Sequence, residues 1–331
     1  MVDHSLFEAQ PDELVPNPRS LLIDLLGHDL VDTLRYSGEA DPEASAGGPD
    51  IPTVLVLHGQ TRGDIVQTTL YRSDKSLFHT GVFTSLADAA EKDAGADSYP
   101  GLEATERARS RWRDVLAAET ARSVRADIYV TERPYVFESR YLKNAPTYTP
   151  AQALALVGLY LRGQGEYVIH RGIGGWPRSF DRGLFYWVGA REFLGDGWRW
   201  FSACVQTAAH TDTDDMTYLG QSLLHRISRA LELRDRFHRS INRVQNNNTA
   251  DDAVAELDVV LLLLMGAVDV AARVAHHALD LPMSRAHRAS WQSREWIRLV
   301  GRLAPDLADI VVGDADGRRT LTMLRLRVRL F

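Results

Sequence analysis

The chain has 331 residues, 45% hydrophobic and 25% charged, which is the composition of an ordinary globular protein and excludes a fibre or a disordered tract. One cysteine, Cys204, excludes an intramolecular disulfide, and the first residues have neither the basic start nor the apolar run of a signal peptide. The longest uncharged apolar run, residues 259–268, is too short to span a bilayer. We therefore expect a cytoplasmic protein of about two domains that does not cross a membrane.

Charge is unevenly divided along the chain. Residues 1–150 have a net charge of −9 and residues 151–331 a net charge of +3. Within the second part, residues 281–331 carry ten arginines against five acidic side chains. Such a cluster is typical of an anion-binding surface, although the preference for arginine over lysine throughout the chain is also what GC-rich codon usage would produce.

The N-terminal part has mixed helix and strand patterns. Asn17 and Pro18 are suited to begin a helix, and leucines at helical spacing extend it to about residue 35. Small polar residues at 37–50 predict an exposed loop. A second helix is predicted over 103–122, and strands over 51–57, 65–71 and 127–130.

After Pro146 the pattern becomes helical. Apolar residues recur at helical spacing in five segments, 150–162, 181–195, 214–244, 250–281 and 287–303. Segment 250–281 has a capping-box-like start at Thr249 and is apolar on nearly every side, so we expect it at the centre of the core. Residues 320–331 fit a strand and a helix equally well. The sequence predicts an α+β protein, with a small α/β domain at 1–148 and a mainly helical domain at 149–331.

A narrow stripe of helix 250–281 is polar. Helical spacing places five ionisable residues in one arc: Asp258, Asp269, Arg273, His276 and Asp280. The stripe is either a thin solvated edge or a polar seam in a cleft between helices, and both interpretations stay open. In a cleft, burial and neighbouring carboxylates would favour acid–base chemistry, which makes Arg273, His276 and His277 the candidate catalytic residues.

Arginines also dominate one face of the helix predicted over 287–303. Arg288, Arg294, Arg298 and Arg302 share that face with Trp291, and guanidinium groups around an indole are suited to contact phosphates and stack on bases. A second basic edge is predicted on helix 214–244, from His225, Arg229, Arg236, Arg239 and Arg243. The candidate RNA-binding residues are Trp291, Arg294, Arg298, Arg302, Arg325, Arg327 and Arg329. A solvated face with arginine stems packed on Trp291 is the alternative.

Several familiar motifs are incomplete. VLVLHG at 54–59 is similar to a strand and turn of α/β-hydrolases, but the chain has no G-x-S-x-G nucleophile. Its glycine loops have neither P-loop nor dinucleotide spacing, and one cysteine with no histidines four residues apart gives no zinc pattern. No cofactor is therefore predicted from these motifs.

Residues 261–281, LLLLMGAVDVAARVAHHALDL, resemble the core helix of HEPN-type proteins of toxin–antitoxin and phage-defence systems. The resemblance covers about residues 214–331 and implies an RNA-directed protein that forms homodimers. HEPN ribonucleases use an R-x(4 to 6)-H motif, in which arginine holds the scissile phosphate and histidine moves a proton. Here the tail has Arg325, Arg327 and Arg329 with no histidine after them, so the resemblance implies RNA binding more than cleavage.

Residues 119–137, ETARSVRADIYVTERPYVF, are similar to the closing strand of PIN-like nucleases. That resemblance implies carboxylates that hold Mg²⁺ or Mn²⁺ and activate water. Glu119, Asp127 and Glu132 lie near the acidic positions of the pattern, whereas strand 51–57 ends at His58 in place of an aspartate.

Three functions stay open at this point. The first is an RNA-associated defence or toxin–antitoxin protein, the second a PIN-like metal-dependent nuclease, and the third a non-enzymatic assembly or sensor protein whose basic helices dock a protein partner. Salt dependence separates the first from the third through counterion release, and metal dependence separates the second from the first.

Overall fold

The structure, a computed structural model, describes residues 1–7, 17–38, 53–71, 77–93, 98–142, 146–169, 178–211, 214–313 and 319. The chain divides into two compact units, residues 1–179 and 180–331. The first is α/β and the second is helical, which confirms the predicted fold class. The division predicted after residue 148 comes before a helix, Pro150–Gly163, that packs within the first unit.

A mixed sheet forms the centre of the first unit. Its strands are β1 (Val2–Asp3), β2 (Thr33–Tyr36), β3 (Thr53–Arg62), β4 (Ile65–Tyr71), β5 (Leu77–Phe83), β6 (Tyr129–Val130) and β7 (Thr147–Tyr148). Their spatial order is β5-β4-β3-β2-β1-β6-β7. Strand β4 pairs antiparallel with both β3 and β5, and the other neighbours pair parallel. Two further strands, β8 (Tyr167–Ile169) and β9 (Arg178–Phe180), pair separately.

The direction in which the chain crosses the sheet reverses at β1. From β1 the chain passes to β2 and β3 on one side, and later to β6 and β7 on the other. In open α/β sheets, the crevice at the carboxyl ends of the strands beside such a reversal is where ligands bind. In this sheet, Asp3 ends β1, Tyr36 ends β2 and Thr131 follows β6.

Helices cover both faces of the sheet. They are α1 (Pro18–Leu26), α2 (Ser85–Glu91), α3 (Ala104–Ser123), α4 (Pro134–Glu138) and α5 (Pro150–Gly163). Tyr129 packs in one core with Val115 of α3, whereas its neighbour Val130 packs in a second core with Leu22 of α1 and Val157 of α5. Successive side chains of a strand point to opposite faces, so the two cores lie on opposite sides of the sheet.

The second unit is built from helices α6 (Arg182–Phe193), α7 (Gly197–Thr211), α8 (Asp215–Ile241), α9 (Asn247–Ala278), α10 (Arg294–Leu303) and α11 (Pro305–Ala308), with a 3₁₀ helix at Met283–Arg288. Helices α8 and α9 form an antiparallel hairpin. Near its turn, Ser240 Oγ donates to Glu256 at 2.9 Å, and at its far end Met216 and Val274 share a core cluster. Among the residues described, no helix is both long and apolar enough to cross a membrane.

Two predicted helices are shorter in the structure. The helix predicted over 18–35 ends at Leu26, and residues 33–36 form β2. Gly27 follows its last turn, and β-branched Val31 and Thr33 favour extended backbone. The helix predicted over 287–303 begins only at Arg294, because Ser293 caps it by accepting a hydrogen bond from the Trp296 N–H at 3.3 Å.

Helix α9 is less buried than its apolar sequence predicts. Its C-terminal half is in the core, with Val270 and Ala272 buried, but Val259 and Leu262 in the N-terminal half are 43% and 53% exposed. The prediction of a central core helix was therefore wrong for this half, because among the described residues α8 covers only one side of it. The loop over 39–50 and the tail over 320–331 lie outside the described residues.

The start of α9 gives a direct stability test. Asn246 accepts a hydrogen bond from the Thr249 N–H at 3.0 Å, and Thr249 Oγ1 accepts one from the Asn246 N–H at 2.9 Å. We expect Asn246→Ala to lower the free energy of unfolding of the helical unit by about 1 kcal/mol, measured in urea. The control Asn248→Ala, at an exposed position inside the helix, removes neither hydrogen bond. Equal losses in both variants would contradict a capping role.

Candidate functional site

Arginines from the 3₁₀ helix and from α10 surround one cavity of the second unit. The cavity has a volume of about 210 Å³ and is lined by Arg285, Arg288, Arg298 and Arg302, and Glu295 is the single carboxylate among the described residues that line it. We call these four arginines, together with Arg294, the basic surface. All five are exposed, and none forms an ion pair with another residue in the described part of the chain.

The periodicity of α10 produces this arrangement. Arg294, Arg298 and Arg302 are spaced four residues apart and therefore lie above one another, while Trp296 and Val300 are buried on the other side. Like charges four residues apart repel and destabilise a helix by about 0.2–0.5 kcal/mol per pair. A bound anion would remove this repulsion.

Trp291 does not take the predicted stacking role. It is 8% exposed, and its ring packs edge to face on Trp296, with 4.6 Å between the centroids. The sequence pattern placed Trp291 on the arginine face of a helix over 287–303. Because the helix begins only at Arg294, the chain turns at residues 289–292 and brings the two indoles together. Trp291 therefore supports the basic surface from the core.

His276 is fully buried, and both of its ring nitrogens are engaged. The Trp296 Nε1–H donates to Nδ1 at 3.3 Å, and Nε2 lies 3.1 Å from the Pro282 carbonyl oxygen. An indole N–H only donates and a carbonyl only accepts, so Nδ1 is the acceptor and Nε2 the donor of these two hydrogen bonds. The side chain ties α9 to α10 and leaves no nitrogen for proton transfer to a substrate.

Arg273 and His277, the other candidate catalytic residues, line a separate cavity of about 360 Å³. Asp215, Tyr218 and His287 are also among its lining residues. The structure therefore brings Arg273 and His277 together, and it places His276 against the core.

Part of the second basic edge, on α8, pairs with a carboxylate of the protein itself. Glu232 is buried. Its carboxylate accepts a hydrogen bond from Arg236 Nη2 at 2.9 Å and another from Arg229, and it lies 3.6 Å from Arg182 Nε. His225 is exposed, and its ring lies 4.9 Å from that of Trp187. This edge has less free positive charge than its sequence predicts. Arg325, Arg327 and Arg329 lie outside the described residues.

The carboxylates proposed as PIN-like metal ligands are dispersed. Glu119 pairs with Arg122 on α3 at 3.2 Å, while Asp127 and Glu132 are exposed at opposite ends of β6. Within the described ranges, no three histidine, cysteine, aspartate or glutamate side chains come together in a way that could hold a metal ion.

A buried polar cluster lies instead at the carboxyl ends of β1 and β6. Arg133 donates from Nε to Asp3 at 3.0 Å and from Nη1 to Asp114 at 3.4 Å. Asp3 also accepts from the Tyr129 hydroxyl at 3.0 Å, and Asp114 from the Tyr99 hydroxyl at 2.6 Å. Both carboxylate side chains are 1% exposed, so Arg133 acts as the cation between two buried anions.

His58 lies beside this cluster, and its surroundings fix its tautomer and protonation state. The Thr120 hydroxyl donates its hydrogen to the Leu116 carbonyl at 2.7 Å. In its 3.1 Å contact with His58 Nε2, the Thr120 oxygen must therefore accept, and Nε2 carries the hydrogen. Burial, together with the positive charge of Arg133, lowers the pKa of His58 to about 4. His58 is therefore neutral at pH 7, with Nδ1 unprotonated.

Sequence reasoning missed most of this cluster. Strand β1 is only two residues long, which is too short for a periodic pattern, so Asp3 carried no signal. Thr131 and Arg133 directly follow the predicted strand 127–130, and the position after a parallel strand is the usual place for ligand contacts. That signal was available in the sequence.

Comparison with known protein families, curated proteins and solved structures finds no match for this chain. The HEPN-like and PIN-like resemblances therefore stay predictions.

The polar cluster gives a test of pH-dependent stability. Burial raises the pKa of Asp114 to about 6, which destabilises the folded state as pH rises from about 4 to 6. The lowered pKa of His58 has the opposite sign, since the unfolded state gains a proton first as pH falls from about 6.5 to 4. We expect His58→Gln to become more stable on acidification over this window and Asp114→Asn to become less stable.

Urea midpoints measured between pH 4 and 7 check both signs. Wild type, in which the two effects oppose each other, should lie between the variants. Parallel pH profiles for the two variants would show that these groups do not titrate as their surroundings require.

Proposed function

We propose that the helical unit binds RNA through the basic surface, as part of a cytoplasmic protein of a defence or toxin–antitoxin type. The observation that carries this proposal is that its five exposed guanidinium groups have no carboxylate partner among the described residues. A polyanion would supply the missing counter-charge, and arginine is suited to phosphate because its planar fork can make two parallel hydrogen bonds.

The geometry favours contacts to the RNA backbone. Four residues of helix rise about 6 Å, so Arg294, Arg298 and Arg302 form a row about 12 Å long that can follow several phosphates of one strand. Trp291 and Trp296 are buried and offer no open ring face for bases. We therefore infer salt-sensitive binding with little base specificity, because phosphate contacts carry no sequence information.

Charge reversal of the row tests the proposal. We expect Arg294→Glu combined with Arg298→Glu and Arg302→Glu to abolish retention of a single-stranded RNA on filters at 50–100 mM salt, as is typical when several phosphate contacts are lost. Wild-type affinity should fall linearly on a log–log plot against salt, with a slope of about −0.7 per neutralised phosphate.

The matched control reverses three exposed arginines elsewhere, Arg125, Arg191 and Arg199, and makes the same change in net charge. Equal loss of RNA in both triple variants would show that binding follows net charge and not this surface. Retention that does not fall with salt would favour docking of a protein partner. Retention or cleavage that disappears in EDTA would favour the metal-dependent nuclease.

A further inference from the structure

The first unit contains a separate cavity at the carboxyl edge of its sheet. The cavity has a volume of about 420 Å³, and its walls include Tyr36, His58, Arg109, Trp112, Arg113 and Arg133. It opens beside the polar cluster, at the reversal of strand order where open α/β sheets bind ligands. Its volume lies within the usual range for small-molecule sites.

The walls of this cavity carry an excess of positive charge. No carboxylate is among the described residues that line it. The charge of Arg133 is balanced beneath the surface by Asp3 and Asp114. Arg109 and Arg113 are exposed, lie one turn apart on α3, and form no ion pair with another described residue. Two guanidinium groups that repel each other at one mouth favour an anion between them.

An aromatic ring lies between these two arginines in the chain. Trp112 is half-buried, and its Nε1–H donates to Asp88 Oδ1 at 2.9 Å, which fixes the edge of the indole while the ring lines the cavity. Such a ring is suited to stack on a heterocycle. His58 adds a neutral ring whose Nδ1 has no partner among the described residues and can accept a hydrogen bond.

We propose that this cavity binds a nucleoside monophosphate, with the phosphate between Arg109 and Arg113 and the base against Trp112 and His58. A bare phosphate would leave most of the volume and the aromatic wall unused. A triphosphate ordinarily brings Mg²⁺, for which this wall offers no carboxylate ligand. The site is in a different unit from the basic surface and does not depend on the RNA-binding proposal.

Isothermal titration of the full chain tests the proposal, with AMP and UMP as the nucleotide probes and with adenosine and inorganic phosphate as partial ligands. We expect at least one nucleotide to bind at least about tenfold more tightly than either partial ligand. Arg109→Gln combined with Arg113→Gln should weaken that binding at least about tenfold, since each arginine makes a charge-assisted hydrogen bond. Both side chains are exposed, so the variant is expected to fold.

The control combines Arg122→Gln, in the last turn of α3, with Arg125→Gln, just after the helix; both arginines are exposed, and this variant should bind as wild type does. The proposal is overturned if neither nucleotide binds, if the Arg109 and Arg113 variant keeps full affinity, or if inorganic phosphate binds as tightly as the nucleotides. Charge reversal of Arg294, Arg298 and Arg302 should remove RNA and leave nucleotide affinity unchanged. Failure of one proposal is thus distinguishable from failure of the other.

Discussion

Arg133 holds two buried carboxylates, Asp3 and Asp114, at the point where the strand order of the sheet reverses. Removing such ions from water is costly, and the cost is offset only when each charge is paired and hydrogen-bonded. Tyr99, Tyr129 and the Thr131 hydroxyl complete the bonds that the guanidinium leaves unmade. The interaction joins β1, β6 and α3, and it forms the floor of the cavity in which we place a nucleotide.

In the helical unit, a buried side chain likewise joins neighbouring elements, here through hydrogen bonds of His276. His276 connects α9 to α10 through the Trp296 indole and the Pro282 carbonyl, with each hydrogen bond fixed by what its partner can donate or accept. Trp291 then packs on Trp296 from the core side. This arrangement orients α10, so that its apolar side is buried and its arginines face outward around a cavity.

The exposed arginines of this protein fall into two groups, those that have a carboxylate partner and those that have none among the described residues. On α8, Glu232 pairs with Arg229 and Arg236 of the same helix and with Arg182 of α6, so each of these arginines has a carboxylate partner. On α10 and at the middle of α3, exposed arginines repeat every fourth residue with no carboxylate opposite them among the described residues. Both proposals depend on this contrast, because an anion bound from outside would relieve the repulsion within each row.

The sequence by itself determined the fold class and most long helices, because periodicity and caps are local. The Asn17 cap, strand 65–71 and the helices beginning at residues 150, 182 and 215 are found close to their predicted positions. The sequence did not identify β5, α2 or α7. Their segments, Leu77–Phe83, Ser85–Glu91 and Gly197–Thr211, have weak or mixed periodicity, and their secondary structure depends on neighbouring elements.

Only the tertiary structure decided which charges are free. Trp291, Arg294 and Arg229 were all predicted on basic helix faces, yet Trp291 is buried, Arg294 is open and Arg229 pairs with Glu232. Likewise Asp3 and Asp114 are 111 residues apart and meet Arg133 only when β1, α3 and β6 are assembled. Pairing over such separations depends on the positions of whole elements, and local periodicity does not contain that information.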